Sequence, residues 1–223
     1  MCGFTLNKEI AMYVETTSNE YIINGKRYDR VTSIINIGRK EKIEEWRGRL
    51  GNEEADRQLS VSQDLGTRIH AGCEDILEQI DAEVTPVIKG EYCEIELLML
   101  QNFMQWALNN VVEIIKLECL LFSDKYRYAG RTDFIARLKG VSLPVICDIK
   151  TSKYLYDTVA LQLEAYKRAA IEQKILDDAL RMGIHISKID GKITPKYFNG
   201  TQDFNAFLGL KAYYDWEKSG KYL

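Results

Sequence analysis

Apolar residues that recur at steps of three and four mark the helical part of the chain. Between residues 40 and 110 the pattern is mainly helical. It is clearest in the last helix of this region, where one face carries Tyr92, Ile95, Met99, Phe103 and Trp106. Such spacing places apolar side chains on a single face of an α-helix. The sequence therefore predicts a helical region that ends near residue 110.

After residue 110 the pattern changes to that of β-strands. The segments VVEIIKLECLLF, YRYAGRTDFIARL and VSLPVICDIK are rich in β-branched and aromatic residues, and the turn-like sequences SDK and KG separate them. Strands favour such residues, so we predict three adjacent strands. A helix is expected from about Asp157 to Lys174, then a strand pair in GIHISKIDGKITPKYF, and a final helix from about Asp203 to Lys218.

A short hairpin is predicted near the N-terminus, in YIINGKRYDR, because Asn24 and Gly25 accept the positive φ angles of a tight turn. Residues 1–110 would then form an N-terminal hairpin and helical region. Residues 111–223 would form a sheet-based core with a C-terminal helix. At 223 residues the chain is expected to be a single domain of the α/β (α+β) class, with a mixed sheet flanked by helices.

The composition is that of an ordinary globular protein, with 46% apolar and 28% charged residues. No run approaches the roughly 18 apolar residues of a membrane helix, and no secretory signal is visible. The expected location is the cytoplasm, or the host cytoplasm if a phage encodes the chain. The cysteines form no C-x-x-C pair, so they are expected to be small buried residues rather than disulfides or a zinc site. They are Cys2, Cys73, Cys93, Cys119 and Cys147.

The net charge of −3 does not by itself indicate nucleic-acid binding, so a protein that binds nucleic acid would need positive charge concentrated locally. One candidate cluster consists of Arg39, Lys40, Lys42, Arg47 and Arg49. The other consists of Lys150, Lys153, Lys167 and Arg168. Because Glu41, Glu44 and Glu45 interleave with the first cluster, a solvated face of mixed charge is an equally good interpretation of it.

Two acids and a lysine interrupt the predicted strands. Asp148 and Lys150 are two residues apart, so their side chains leave the same side of a strand, about 7 Å apart. Asp133 lies in the apolar run of the preceding strand. Neighbouring strands are about 4.8 Å apart, so the two carboxylates can converge on one divalent cation. The alternative is an ion pair at a strand end, with Asp133 at a bend.

Three further polar residues are candidates for the same site. Gln162 and Tyr166 are four residues apart and share one face of the following helix, where they can reach phosphate oxygens, orient the lysine or simply pack. His70, in the sequence GTRIH, is the best nitrogen ligand of the chain's two histidines, although a helical histidine is more often structural. His185 is in a strand-like segment and is interpreted as structural.

These motifs occur in one order between residues 66 and 166, and that order resembles the RecB-like branch of the PD-(D/E)xK nuclease superfamily. The motifs are Gly66…His70, Gly130-x-x-Asp133, Asp148-Ile149-Lys150-Thr151-Ser152 and Gln162…Tyr166. The earlier hairpin, the segment RVTSII, Trp46 and GTRIH resemble, more narrowly, the family of the mitochondrial genome maintenance exonuclease and related phage-type exonucleases.

The resemblance implies a restriction-endonuclease-like mixed β-sheet with an α-β-β-β-α-β core, and hydrolysis of DNA phosphodiester bonds with Mg²⁺ or Mn²⁺. Asp133, Asp148 and Lys150 would then be catalytic. The implied metal ligands are His70, Asp133, Asp148 and the backbone carbonyl of Ile149. Glu118 would serve a second metal or be an ordinary surface residue. The residues implied to contact DNA are Thr151, Lys153, Tyr154, Gln162 and Tyr166.

The expected activity is that of an exonuclease on single-stranded DNA or DNA ends in replication, repair or recombination. Its expected partners are DNA and proteins of replication or recombination, with no membrane. A catalytically weak DNA-end-binding module and a structure-specific endonuclease are the alternatives. Some RecB-like relatives hold an iron–sulfur cluster through cysteines near the C-terminus. No such cluster is expected here, because no cysteine follows Cys147.

Overall fold

The structure, a computed structural model, describes residues 13–220 as a mixed α/β arrangement of helices around one sheet. The strands are β1 (Val14–Thr16), β2 (Glu20–Ile23), β3 (Lys26–Arg30), β4 (Val111–Ser123), β5 (Tyr128–Leu138), β6 (Val145–Lys150), β7 (Leu180–Ile186) and β8 (Ile193–Phe198). The helices are α1 (Val31–Ile37), α2 (Lys40–Leu50), α3 (Asn52–Asp81), α4 (Glu94–Asn110), α5 (Thr158–Glu172) and α6 (Asp203–Lys218). The predicted mixed sheet flanked by helices is confirmed.

The sheet runs in the order β1-β2-β3-β5-β6-β7-β8, and β4 pairs with β5. The pairs β3–β5 and β6–β7 are parallel, and the other pairs are antiparallel. The predicted hairpin is confirmed as β2 and β3, with φ angles of 49° at Asn24 and 79° at Gly25. This hairpin joins the sheet through β5, so the N-terminal region contributes strands as well as helices.

Strand β5 has different partners along its length. On one edge it pairs with β4 along most of its length. Its other edge pairs with β3 at Tyr128 and Ala129 and with β6 from Phe134 to Ala136. Residues 130–133 therefore lie between the ends of two different partner strands. We call this stretch the sheet fork, and it contains one of the predicted catalytic carboxylates.

Two apolar layers cover the faces of the sheet. Helices α1, α5 and α6 pack on one face, where Ile135 and Ile146 belong to the same buried cluster as Leu163. Helices α3 and α4 pack on the other face, where Cys147 and Ile149 are buried. Successive side chains of a strand point to opposite faces. Asp148 and Lys150 therefore share one face of β6, as the sequence predicted, and that face is the one covered by α5.

Two details of the helical region differ from expectation. Helix α4 begins at Glu94, so Tyr92 precedes the helix although it packs with the same cluster. Cys93 is exposed and not a buried cysteine, because it occupies the cap position of α4. The prediction is confirmed for Cys73 and Cys147, Cys119 is half-buried, and Cys2 lies outside the described residues. Within residues 13–220 no helix has the length and apolar character needed to cross a membrane.

Candidate active site

Asp148 is the most deeply buried carboxylate of the predicted catalytic set, at 2% exposure. Its Oδ1 accepts a hydrogen bond from Gln162 Nε2 at 2.8 Å. Its Oδ2 forms an ion pair with the ammonium of Lys150 but accepts no hydrogen bond of regular geometry from the described residues. Burial raises the pKa of Asp148, Lys150 lowers it, and Asp133 raises it again, so the net pKa lies above the ordinary value. A buried acid in this state favours a nearby positive charge.

Asp133 lies in the sheet fork, where side chains replace the backbone pairing of the strands. The Thr132 hydroxyl donates to the carbonyl of Cys147 at 2.9 Å. One position further, Asp133 Oδ2 accepts a hydrogen bond from the backbone N–H of Ile149. Burial raises the pKa of Asp133, but the hydrogen bond and charge of His70 and the charge of Lys150 outweigh it. The carboxylate is therefore held ionised and is fixed to β6 from the neighbouring strand.

His70 reaches this carboxylate from α3, with 3.3 Å between His70 Nδ1 and Asp133 Oδ1. Ile69 and Cys73 anchor this part of α3 in the apolar layer. Burial lowers the pKa of His70, but the hydrogen bond and charge of Asp133 raise it above the ordinary value. The side chain remains 33% exposed, so one side of the imidazole faces solvent. Helix α3 and the two central strands thus meet at one place.

Lys150 ends β6 and carries the positive charge of the site. Burial lowers its pKa, but the charges of Asp148 and Asp133 outweigh that effect and raise it. The ammonium is therefore protonated at neutral pH. Its side chain is 27% exposed, against 3% for that of Asp148. Lys150 consequently connects the buried carboxylate to the surface.

Glu118 extends the acidic part of the site on β4. Leu117 pairs with Phe134 and Cys119 with Thr132, so Glu118 lies across from Asp133. Its φ of 44° is unusual for a strand residue other than glycine. Burial and the negative charges of Asp133 and Glu74 raise the pKa of Glu118 to about 7, although Arg131 lies 3.7 Å from its carboxylate. Glu74 follows His70 by one helical turn on the same face, as the sequence indicates, whereas Arg131 is a neighbour that the sequence motifs did not identify.

Gln162 and Tyr166 of α5 face the site from inside the protein. Gln162 Nε2 bonds to Asp148 Oδ1 and to the Tyr166 hydroxyl, at 2.8 and 3.1 Å. Tyr166 is 2% exposed, and its ring packs on Gly130 so closely that an added Cβ would lie 2.5 Å from Tyr166 Cε1. The glycine of the fork therefore makes room for the tyrosine ring. Direct contact of Gln162 and Tyr166 with DNA stays a prediction, and their observed contacts orient Asp148.

The segment after β6 carries the remaining predicted DNA-binding residues. Thr151 lies next to Gly66, where α3 approaches this segment. Lys153 and Tyr154 are exposed, with 5.3 Å between Lys153 Nζ and the ring centroid. His185 Nε2 contacts the carbonyl of Ser152 at 2.7 Å, so this histidine supports the segment, as expected of a structural residue. The segment thus presents a lysine and a tyrosine to solvent beside the buried acids.

The predicted basic clusters are mostly neutralised. Lys167 pairs with Asp178 at 2.6 Å and Arg168 with Glu164 at 2.8 Å, so neither adds free charge to the site. In the first cluster, Lys40 pairs with Glu217 at 2.6 Å and Arg47 with Asp56 at 2.7 Å. For these lysines and arginines the mixed-charge interpretation is the better one. Of the second cluster, Lys150 pairs with Asp148, and Lys153 is exposed in the segment that follows β6.

The spacing of possible metal ligands and the similarity of the sequence to known proteins both bear on the expectations for this site. Within residues 13–220 no group of three or more His, Cys, Asp or Glu side chains is spaced to hold a metal ion. No family model matches the sequence, and no curated protein is significantly similar to it. The functional interpretation therefore depends on the geometry of the chain's own residues.

Proposed function

We propose that this chain is a metal-dependent DNA nuclease, specifically an exonuclease acting on single-stranded DNA or DNA ends. One observation carries the proposal: Asp133 and Asp148 come from adjacent strands and share the neighbouring charge of Lys150 at a partly exposed site. Buried ionisable groups with perturbed pKa values cluster at functional sites. A purely structural ion pair needs one carboxylate for the lysine, and here two carboxylates and an imidazole are held together.

In chemical type, the donors of this site suit a hard divalent cation such as Mg²⁺ or Mn²⁺, although within residues 13–220 no three of the side chains are already spaced to hold one, so they would have to move together on binding. Asp148 Oδ2 is buried and paired with the ammonium of Lys150, and its second lone pair would be available to a cation. Asp133, His70 and the backbone carbonyl of Ile149 would complete the set, with Glu118 as a further carboxylate. Carboxylate and carbonyl oxygens bind both ions well, and an imidazole ligand would increase the affinity for Mn²⁺ relative to that for Mg²⁺. A bound ion would act as a Lewis acid that activates a water and stabilises charge on the scissile phosphate.

Lys150 would act on the phosphate and the attacking water directly. Its protonated ammonium is connected to solvent while its neighbour Asp148 is not. In a site with little water, a fixed positive charge stabilises the negative charge that develops during hydrolysis. Lys150 would therefore orient the water and offset charge on the phosphate. Gln162 would act through Asp148, because its amide fixes Oδ1 and leaves Oδ2 directed at the site.

The order of elements supports a restriction-endonuclease-like core. From α4 to β7 the chain runs helix, three strands, helix, strand. This is the α-β-β-β-α-β order implied by the RecB-like motifs. The motif residues also meet in space although they span residues 70 to 166 of the chain. Chance occurrences of D-x-K and Q-x-x-x-Y would have no reason to share Asp148 as a contact.

Digestion of labelled DNA tests the proposal. End-labelled linear and circular DNA, single- and double-stranded, is incubated with Mg²⁺, Mn²⁺ or EDTA. We expect the linear single strand to be degraded with either metal but not with EDTA, and circles to resist. Asp148→Asn and Asp133→Asn should each abolish cleavage. Asp178→Asn is the matched control, because this exposed acid pairs with Lys167 outside the site.

Each contrary outcome has a definite meaning. Cleavage in EDTA, or parental cleavage by Asp148→Asn, would refute the metal-dependent mechanism. Efficient cleavage of circles would replace the exonuclease with an endonuclease. Tight binding of DNA ends without cleavage in any metal would make the chain an end-binding module.

A further inference from the structure

A cavity of about 290 Å³ lies beside Asp148 on the α5 side of the sheet. Its walls come from α1, the α1–α2 link, the end of β6 and the start of α5. The lining residues that matter here are Asn36, Arg39, Lys150, Tyr156, Thr158 and Gln162. The cavity therefore runs from the residues that hold Asp148 to a basic side chain of the N-terminal region.

The charge of this cavity sets it apart. Its lining contains two cationic residues, Arg39 and Lys150, and no carboxylate. Three other cavities bounded by described residues are each lined by at least two acidic side chains. Lys150 is paired with Asp148, so Arg39 supplies the positive charge of this lining that no carboxylate of the described residues neutralises, and that charge attracts an anionic ligand. Hydroxyl and amide groups of Thr158, Asn36 and Gln162 add neutral hydrogen-bonding capacity.

Arg39 is free to bind such a ligand. Within residues 13–220 no carboxylate pairs with its guanidinium, in contrast to Lys40 and Arg47 nearby. Its Cζ instead lies over the ring of Tyr156, 4.3 Å from the centroid. This stacking holds the guanidinium plane in place and leaves N–H groups at its edge. A planar guanidinium with free N–H groups is suited to phosphate oxygens.

We propose that this cavity binds one unpaired nucleotide of the DNA strand, next to the bond that is cut. Arg39 and Lys150 would contact its phosphate, and the ring of Tyr156, which is 40% exposed, would stack on its base. This inference rests on the proposed nuclease function and names the form of its substrate. At about 290 Å³ the cavity lies near the lower end of the size range of ligand pockets, which suits a small unit such as one nucleotide.

The inference predicts a preference for single strands. A base in a duplex must leave its stack and its partner before it enters such a cavity, at a cost of a few kcal/mol. A single strand or a frayed end does not incur this cost. Arg39 should therefore strengthen the binding of single strands while adding little to the binding of a blunt duplex.

Binding measured in EDTA tests the inference without involving cleavage. Fluorescence anisotropy compares a labelled single-stranded oligonucleotide with a blunt duplex of the same sequence. Arg39→Ala should weaken binding of the single strand about tenfold, the effect of losing one charge-assisted hydrogen bond. Duplex binding should change by less than about twofold. Arg49→Ala is the matched control, because Arg49 is exposed on α2 outside the cavity lining, and it should change neither affinity by more than about twofold.

The salt dependence separates phosphate contact from base stacking. Arg39→Ala should reduce the slope of log affinity against log salt by about 0.7, the value for one phosphate contact on a single strand. Tyr156→Ala should weaken binding with an unchanged slope. Arg39→Lys keeps the charge and should keep the slope, and it provides the comparison if the alanine variant fails to fold.

Several outcomes would overturn the inference. Equal single-strand affinities for Arg39→Ala and Arg49→Ala, an equal loss on single strand and duplex, or no DNA binding by the parent chain would each do so. The nuclease proposal fails separately. If the Arg39 effect is found but the parent chain cleaves no DNA with Mg²⁺ or Mn²⁺, the nucleotide site stands and the catalytic function does not.

Discussion

Replacing Lys150 with methionine removes the ammonium while it keeps most of the side chain's length. The ammonium is the counter-charge of Asp148 Oδ2, which accepts no hydrogen bond from the described residues. Leaving one member of a fully buried ion pair uncompensated costs about 3–5 kcal/mol. Lys150 is 27% exposed, so water screens part of this loss, and we expect a loss of about 1–3 kcal/mol. That is less than the usual stability of a domain, about 5–15 kcal/mol, so the variant should fold.

Cleavage and metal response should diverge in this variant. The rate should fall about 100-fold or more, because the fixed charge that stabilises the reacting phosphate is missing. Metal should still bind, since a protonated lysine is not a ligand. Mg²⁺ should raise the melting temperature of Lys150→Met more than that of the parent, because the cation replaces the lost counter-charge. Lys167→Met is the control: its partner Asp178 is exposed, so cleavage should be unchanged and stability should fall by at most about 1 kcal/mol.

The double variant Asp148→Asn, Lys150→Met removes both charges together. Urea unfolding in EDTA should show a coupling of about 1–3 kcal/mol between the two positions, with the double variant more stable than Lys150→Met. It should cleave no DNA. Parental cleavage by Lys150→Met with Mg²⁺ would refute the role of the lysine. A coupling near zero would refute the energetic reasoning about Asp148.

Three other substitutions probe the contacts around the site. Gln162→Leu removes the hydrogen bond to Asp148 and should lower the rate of DNA cleavage about tenfold. It should also raise the Mg²⁺ concentration that gives half-maximal cleavage, which a titration of activity with Mg²⁺ measures. Gly130→Ala forces a Cβ against the ring of Tyr166 and should lower the free energy of unfolding, measured with urea, by about 1–3 kcal/mol. Adding Tyr166→Leu should restore part of that stability. A Gly130→Ala variant as stable as the parent would contradict the packing. Glu96 lies in the first turn of α4. Burial raises the pKa of its carboxylate, but hydrogen bonds from the Arg68 guanidinium and the backbone N–H of Cys93 hold that pKa below its ordinary value. The stability that Glu96 provides is therefore complete at pH 7 and is lost as the pH falls through this lowered pKa, so Glu96→Gln should be about 1–2 kcal/mol less stable than the parent at pH 7, and the difference should shrink progressively in acid. A difference independent of pH would contradict this assignment.

Local periodicity predicted the features that depend on one segment at a time. The alternation along β6 placed Asp148 and Lys150 on one face, and the acid in the apolar run of β5 marked Asp133. The bounds of α6 agree with the predicted range, because an uninterrupted helical pattern begins after a turn. Prediction from local sequence patterns succeeds where the conformation and the buried face of an element depend on the residues of that element alone.

Features that depend on distant segments were not predictable. The pairing of β3 with β5 joins Asp29 to Tyr128, and no local pattern indicates it. The packing of Tyr166 on Gly130 likewise couples a helix to a strand. Arg39 was grouped with its neighbours in sequence, although its free guanidinium distinguishes it from them. The ion pairs of Lys167 with Asp178 and of Lys40 with Glu217 likewise depend on the tertiary fold, which brings these residues together.

The sheet fork also has a consequence for how the chain folds. Strand β3 leaves the ribosome about a hundred residues before the strand it pairs with, so the hairpin must wait for β5. Asp133 then receives its hydrogen bond from β6, and Asp148 receives its amide contact from α5 later still. Contacts with such large separations in sequence make folding slow. A nascent chain that stops before α5 therefore lacks the amide contact that fixes Asp148, and the proposed catalytic arrangement is complete only after residue 166 has been synthesised and packed.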